Sequence, residues 1–251
     1  VNTRAMLFDV VEGQCRFLAM GTAHTTATAP YRDIGTGVHA ALEQLQSITG
    51  RSLFGEDGRL IMPGTTNGTG VDLCVATISA GGSLKAVAAG LLDDVSTESA
   101  LHLASTTYAQ VMDVLSLNDR RKGAARLDAI LRLRPDLVIV AGGTDGGASH
   151  SVMGVLESIG LACQLMPENQ RPEVLFAGNQ MLVDQVKTIM PSAALFHVAP
   201  NIRPALEIEQ LEPAQAVLSQ IYRLVRMRKV PGVQELDLWT GGRLMPTISD
   251  S

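Results

Sequence analysis

Between residues 124 and 198 short apolar runs alternate with amphipathic stretches, and this alternation narrows the fold more than any other property of the chain. "AARLDAILRLR" (124–134) reads as a helix ended by Pro135. Strand 136–141, helix 148–159, strand 173–177, helix 179–189 and strand 193–198 follow. Strands that alternate with helices predict a parallel sheet with helices packed on it. "LEPAQAVLSQIYRLVRMRK" (211–229) reads as a long closing helix with Pro213 in its first turn.

The first ninety-odd residues have a different style. "TRAMLFDVVEGQCRFLAMGTAHTT" (3–26) reads as two strands joined at Glu12-Gly13-Gln14. "DIGTGVHAALEQLQSITGR" (33–51) has an Asp start, a Gly50 stop, and Val38, Leu42, Leu45 and Ile48 at helical spacing. A Gly/Asn/Thr-rich loop follows. "VDLCVATISAGGSLKAVAAGLL" (71–92) then suggests two strands about a Ser-Ala-Gly-Gly-Ser turn. "STESALHLASTTYAQVMDVLS" (96–116) reads as one helix, opened by Ser96 and Ser99 as caps with Glu98 at its positive end.

The chemistry sits in glycine loops. In "RPDLVIVAGGTDGGASHSVMGVLESIG" (134–160) an apolar strand runs into Gly142, Gly143, Thr144, Asp145, Gly146 and Gly147. In a parallel sheet, ligands bind beyond the carboxyl ends of strands, where loops meet helix N-termini. The loop is neither GxGxxG nor a P-loop, and Asp145 repels a phosphate unless Mg²⁺ bridges them. A ligand or partner role and a plain turn with Asp145 as helix cap both stay open. "FAGNQ" (176–180) repeats the strand–loop–helix arrangement, so Gly178 and Asn179 join the candidate site if the strands are neighbours. "ISAGGSLK" (78–85) offers Ser79, Ser83 and Lys85 to a phosphate, against the hairpin reading.

Several functions are disfavoured. A net charge of −5 and a pI near 5.5 argue against a nucleic-acid phosphate binder, and the basic run "RLVRMRK" (223–229) reads as a solvated helix face. Cys15, Cys74 and Cys163 are widely spaced among apolar residues, which predicts buried thiols and no metal site. His24, His39, His102, His150 and His197 form no HxxxH or HExxH, and only His150 lies near the glycine loop. No GxSxG elbow, Cys–His pair or carboxylate pair names a reaction, so no catalytic residue is assigned. No apolar run reaches the roughly 18 residues of a membrane helix, and no signal peptide is recognisable. The expectation is a cytoplasmic protein without a membrane partner.

"SAGGSLKAVAAGLL", "STESALHLA", "RPDLVIVAGGTDGG", "VLFAGNQ" and "EPAQAVLSQIY", in this order, resemble the glutamate mutase L family, often called MutL. "TRAMLFDVVEGQCRFLAMG" is similar to that family's opening. The resemblance implies an actin/Hsp70-type ATPase that reactivates or protects adenosylcobalamin-dependent carbon-skeleton mutases or aminomutases. It implies a partial actin-like (ribonuclease H-like) domain I at 1–94, whose first strand is missing. An inserted doubly wound parallel α/β subdomain would occupy 95–204, and a closing helix and tail at 205–251 would return to domain I. Asn2, Thr3 and Arg4 match the tail of the first phosphate loop. The second, of DxGGxTTD type, does not occur before Ser251, so the chain reads as part of something longer. ATP and Mg²⁺ are expected in the intact protein, no cofactor in this piece alone, and mutase subunits as partners. A small-ligand-binding α/β enzyme, with its site at the Gly142–Gly147 and Gly178–Asn179 loops, is the alternative.

Overall fold

The hairpin at the start of the chain is built as its turn residues dictate. β1 (Asn2–Val11) pairs antiparallel with β2 (Gln14–His24). Glu12 and Gly13 connect them with φ of 56° and 75°, two left-handed residues that suit the twist of the strands. Leu7 and Ala19 on the inner face pack with Leu45 and Leu53, so α1 (Ile34–Thr49) lies across the hairpin. The ends of α1 are as read from sequence. Asp33 accepts the Gly35 N–H, and Gly50 closes the helix in the left-handed conformation. The buried strip differs, however: it runs through Ile34, Ala41 and Leu45, while Ile48 is 57% exposed. The helix sits on the hairpin through small residues, and a β-carbon on Gly21 would stand 1.9 Å from the Ala41 carbonyl oxygen.

The computed structural model describes residues 2–79, 81–147, 150–190, 195–242 and 244–246. Parts of four expected elements therefore lie outside the described residues: Ala80 of the turn about 79–83, 148–149 of the helix expected at 148–159, 193–194 of the last strand, and 243 with 247–251 of the closing tail. The chain divides into two units, one of residues 1–81 with 227–251 and one of residues 82–226. The first is completed by β3 (Thr77–Ile78), α7 (Val233–Trp239) and β9 (Met245–Pro246), which runs parallel to β3. α7 was not foreseen.

The second unit is a five-stranded sheet with every pairing parallel, in the order β5-β4-β6-β7-β8. Its elements are β4 (Leu84–Ala89), α2 (Glu98–Ser105), β5 (Ala109–Leu115), α3 (Gly123–Leu133), β6 (Leu137–Val140), α4 (His150–Leu165), β7 (Glu173–Phe176), α5 (Val183–Ile189), β8 (Phe196–Val198) and α6 (Glu212–Val225). Val87, Ala89, Val138, Val140, Val174 and Phe176 face a core shared with α3, α4 and α5. α2 packs against β4, β5 and β6.

Four expectations need correction here. The hairpin about residues 79–83 does not exist, because β3 and β4 take different partners. All of β4 except Lys85 is buried, the mark of a parallel strand covered on both faces. The single helix over 96–116 is a π-helical turn (Asp93–Thr97), α2 and then β5. Thr106, Thr107 and Tyr108 interrupt it, since β-branched and aromatic residues favour the strand. Ser96 does not cap α2: its hydroxyl accepts the Leu91 and Leu92 N–H groups at 2.8 and 3.1 Å and closes the preceding loop. Among the cysteines only Cys163 is buried, while Cys74 is half-buried and Cys15 exposed. Cys15 stands opposite Val10 on the uncovered face of the hairpin, so an apolar sequence context did not mean burial. Burial pushes the Cys163 thiol up to about 11.

Candidate functional site

A parallel sheet gathers its strand-to-helix loops at one edge, and here the loops after β6, β7 and β8 are tied together by side chains. Asp145 does most of this with one oxygen. Its Oδ1 accepts the Gln180 N–H at 3.1 Å and the Asn201 Nδ2–H at 2.9 Å. Asn201 also donates to the Gly143 carbonyl at 3.0 Å, and the Asp145 N–H donates to the Pro204 carbonyl at 3.1 Å. The Gln180 amide donates to the Gly178 and Ala199 carbonyls, both at 2.9 Å. Asn179 Oδ1 accepts the Met181 N–H at 3.0 Å, which caps the turn leading into α5.

The glycines are there for contact between loops. A β-carbon on Gly178 would lie 2.5 Å from the Gly142 carbonyl oxygen, which also accepts the Asn179 N–H at 3.1 Å. Gly142 itself rests on Leu91, whose Cγ is 3.1 Å from where its β-carbon would be. The strand order reverses between β4 and β6, the place where doubly wound sheets bind ligands. Buried Leu91, from the loop after β4, fills that place beside Gly142. Asn179 and Asn201 are 1% and 2% exposed, whereas Asp145, Gly146 and Gly147 are exposed.

The structure thus brings Gly142 to Gly147 together with Gly178 and Asn179, and adds Gln180, Asn201 and Pro204. Asn201 follows β8 as Gly178 follows β7, so its place after a strand was the available signal. His150 is the first residue of α4. Lys85 lies at the amino end of β4, away from this edge, and its N–H donates to Asp136 at 2.8 Å. Asp136 also pairs with Arg226, which draws one cation of the basic run into an ion pair within the unit. Asn2, Thr3 and Arg4 lie in β1 of the first unit, Asn2 and Arg4 exposed and Thr3 half-buried.

Beside this edge, Arg203 donates from Nε to the Ser99 hydroxyl at 3.0 Å and pairs with Glu209 at 3.6 Å. His102 Nδ1 lies 3.2 Å from the Glu209 carboxylate. Burial raises the Glu209 carboxyl, but the Ser99 hydroxyl, His102 and Arg203 outweigh it and hold it below the usual glutamate value. Loop 199–211 is fastened to α2 by these groups. In the first unit an open cleft of about 490 Å³ lies beside α1, with Asp33, Thr36, His39, Glu43 and Glu235 among its walls. His39 Nε2 donates to both Glu235 oxygens, at 3.2 and 3.3 Å, and its ring stacks on Phe54 at 4.9 Å. That pair joins α1 to α7. Among the described residues no group of three or more His, Cys, Asp or Glu side chains is arranged to hold a metal. No helix among them is long and apolar enough to cross a membrane.

Fold and edge together define a mixed α/β protein in which a parallel sheet carries a set of loops joined by hydrogen bonds at its carboxyl edge. The chain belongs to the MutL protein family, whose profile matches residues 1–249. It is similar to Protein MutL of Clostridium tetanomorphum, 30% identical over 174 residues, which is 69% of this chain and 36% of that protein. The aligned part of this chain therefore corresponds to little more than a third of that relative.

Proposed function

We propose that this chain is part of an ATP-dependent chaperone that reactivates an adenosylcobalamin-dependent mutase, either glutamate mutase or a related aminomutase or carbon-skeleton mutase. Membership of the MutL family over residues 1–249 carries this reading. In it, the hairpin and α1 belong to an actin-like domain I, and β5 to β8, within residues 95–204, belong to the subdomain inserted into it. Asn2, Thr3 and Arg4 are this chain's contribution to a phosphate loop. On β1 they offer one hydroxyl and two polar side chains. ATP with Mg²⁺ would act by favouring one of two domain arrangements, and mutase affinity would follow the population.

The tied loops favour contact over catalysis at the sheet edge. An enzyme using Asp145 and Asn179 needs their polar atoms aimed at a substrate. Asp145 Oδ1 and Asn179 Oδ1 instead accept backbone N–H groups of the 180–181 turn. A stiff, exposed platform suits a protein partner, since little is lost in ordering it on binding.

The test is coenzyme exchange. A glutamate mutase inactivated by conversion of its coenzyme to hydroxocobalamin would be incubated with the full-length protein, ATP, Mg²⁺ and fresh adenosylcobalamin. Activity should return only when protein and ATP are both present. Return without ATP, or none with it, would sink the reading.

A further inference from the structure

The carboxyl edge of the five-stranded sheet carries more than glycines. Met181, in the turn after β7, is 75% exposed, and Leu206 and Ile208, in the turn after β8, are 61% and 52% exposed. Single exposed apolar residues are ordinary, but these three stand on two loops that Asp145 ties to one another at one edge. The 205–208 turn is closed by pairing of Ala205 with Ile208, and the adjoining Pro204 carbonyl accepts the Asp145 N–H. Asp145, Asp184 in the first turn of α5, and Glu207 at the tip of the 205–208 turn are exposed carboxylates on the same loops, Asp184 in a solvent-exposed 3.8 Å pair with Lys187. At the far end of the edge, the loop after β5 exposes Arg120 and Lys122 instead. The edge is therefore apolar and acidic over β6–β8 and basic over β5.

We propose that this edge docks a basic, apolar-faced helical segment of a partner protein, with the partner's Lys or Arg side chains over β6–β8. The apolar contact would supply affinity. The carboxylates would select the partner and, with Arg120 and Lys122, set its direction. A second copy of this chain could cover this edge only antiparallel, with its Arg120 and Lys122 over these carboxylates, so a chain that runs as a monomer at the titration concentration disfavours it. A small ligand is disfavoured as well, because Leu91 fills the crevice between β4 and β6. This inference rests on the partner-contact reading above and names the chemistry of the contact.

The probe is a synthetic amphipathic helix of ~18 residues, five turns long, with leucine on one face and lysine on the other. A twin carrying glutamate in place of lysine is the control. Each would be titrated into the 251-residue chain, followed by methyl NMR of Met181, Leu206 and Ile208. The lysine peptide should shift these methyls first, and the glutamate peptide should not. Met181→Ser with Leu206→Ser, and separately Asp184→Lys with Glu207→Lys, should each weaken binding about tenfold or more. Met181→Ser with Leu206→Ser changes exposed side chains and should melt as the parent does. Asp184→Lys loses the ion pair with Lys187 and a favourable first-turn charge, so its binding is compared below its own, lower melting temperature. No binding, binding that shifts other methyls first, or binding that survives charge reversal overturns the proposal. The coenzyme-exchange assay separates the two ideas. Peptide docking without mutase recovery would defeat the mutase reading alone. Recovery by the parent and both variants, with no peptide docking, would defeat this surface alone.

Discussion

Asp145 binds two loops through one oxygen, and the type of atom at that position matters more than its charge. Asp145→Asn keeps a carbonyl acceptor where Oδ1 stands, so stability should change little. Asp145→Ala removes the acceptor for the Gln180 N–H and the Asn201 amide, which should cost about 1–2 kcal/mol. Urea unfolding of both variants checks this, and equal losses would show that charge is what counts. The cysteines give a second residue-scale expectation. A thiolate is the reactive form, so iodoacetamide at pH 8 should label exposed Cys15 and leave Cys163 untouched until the chain unfolds. Mass spectrometry of the labelled peptides reads the order. Asp145 could be singled out from sequence because glycines and a strand end surround it. Its partner Asn201 lies 56 residues away in a stretch without glycine, and no local pattern joins them.

At the scale of elements, the ends of α1 and the first hairpin turn were legible, while the start of α2 and the partners of the strands were not. Asp33, Gly50 and the Glu12-Gly13 turn act through neighbours within a few residues, so a local reading finds them. β4 reads as half a hairpin because periodicity shows that a strand exists and not which strand lies beside it. Two glycines make the role of packing testable. Gly21→Ala would drive a methyl into the Ala41 carbonyl and should destabilise the chain by about 1–3 kcal/mol. Gly154 lies inside α4 with open space where a β-carbon would go, so Gly154→Ala should stabilise by about 0.5–1 kcal/mol. Thermal melts of the two variants should move in opposite directions. A rise in both would mean that α1 does not seat on the hairpin as described.

For the whole molecule, the ionisation of Glu209 couples pH to the fastening of loop 199–211 on α2. Its carboxyl is lowered in the folded state, so it contributes stability above the unfolded glutamate value of roughly 4.3. That contribution is lost as pH falls through the lower, folded value. Melting temperature should therefore drop through this acid range, less steeply in Glu209→Gln, and hydrogen exchange at 199–211 should rise with it. A Glu209→Gln profile parallel to the parent's would remove Glu209 from this role. By itself, the sequence determined the α/β class, most of the elements after residue 120, the caps of α1 and the resemblance to MutL, because hydrophobic periodicity, turn residues and motifs act over short spans. The tertiary structure alone decided that β4 lies inside the sheet and that Asp145 meets Asn201. Those contacts join residues far apart in the chain, and they are selected by burial and hydrogen-bond satisfaction over a whole unit, which no short window of sequence contains.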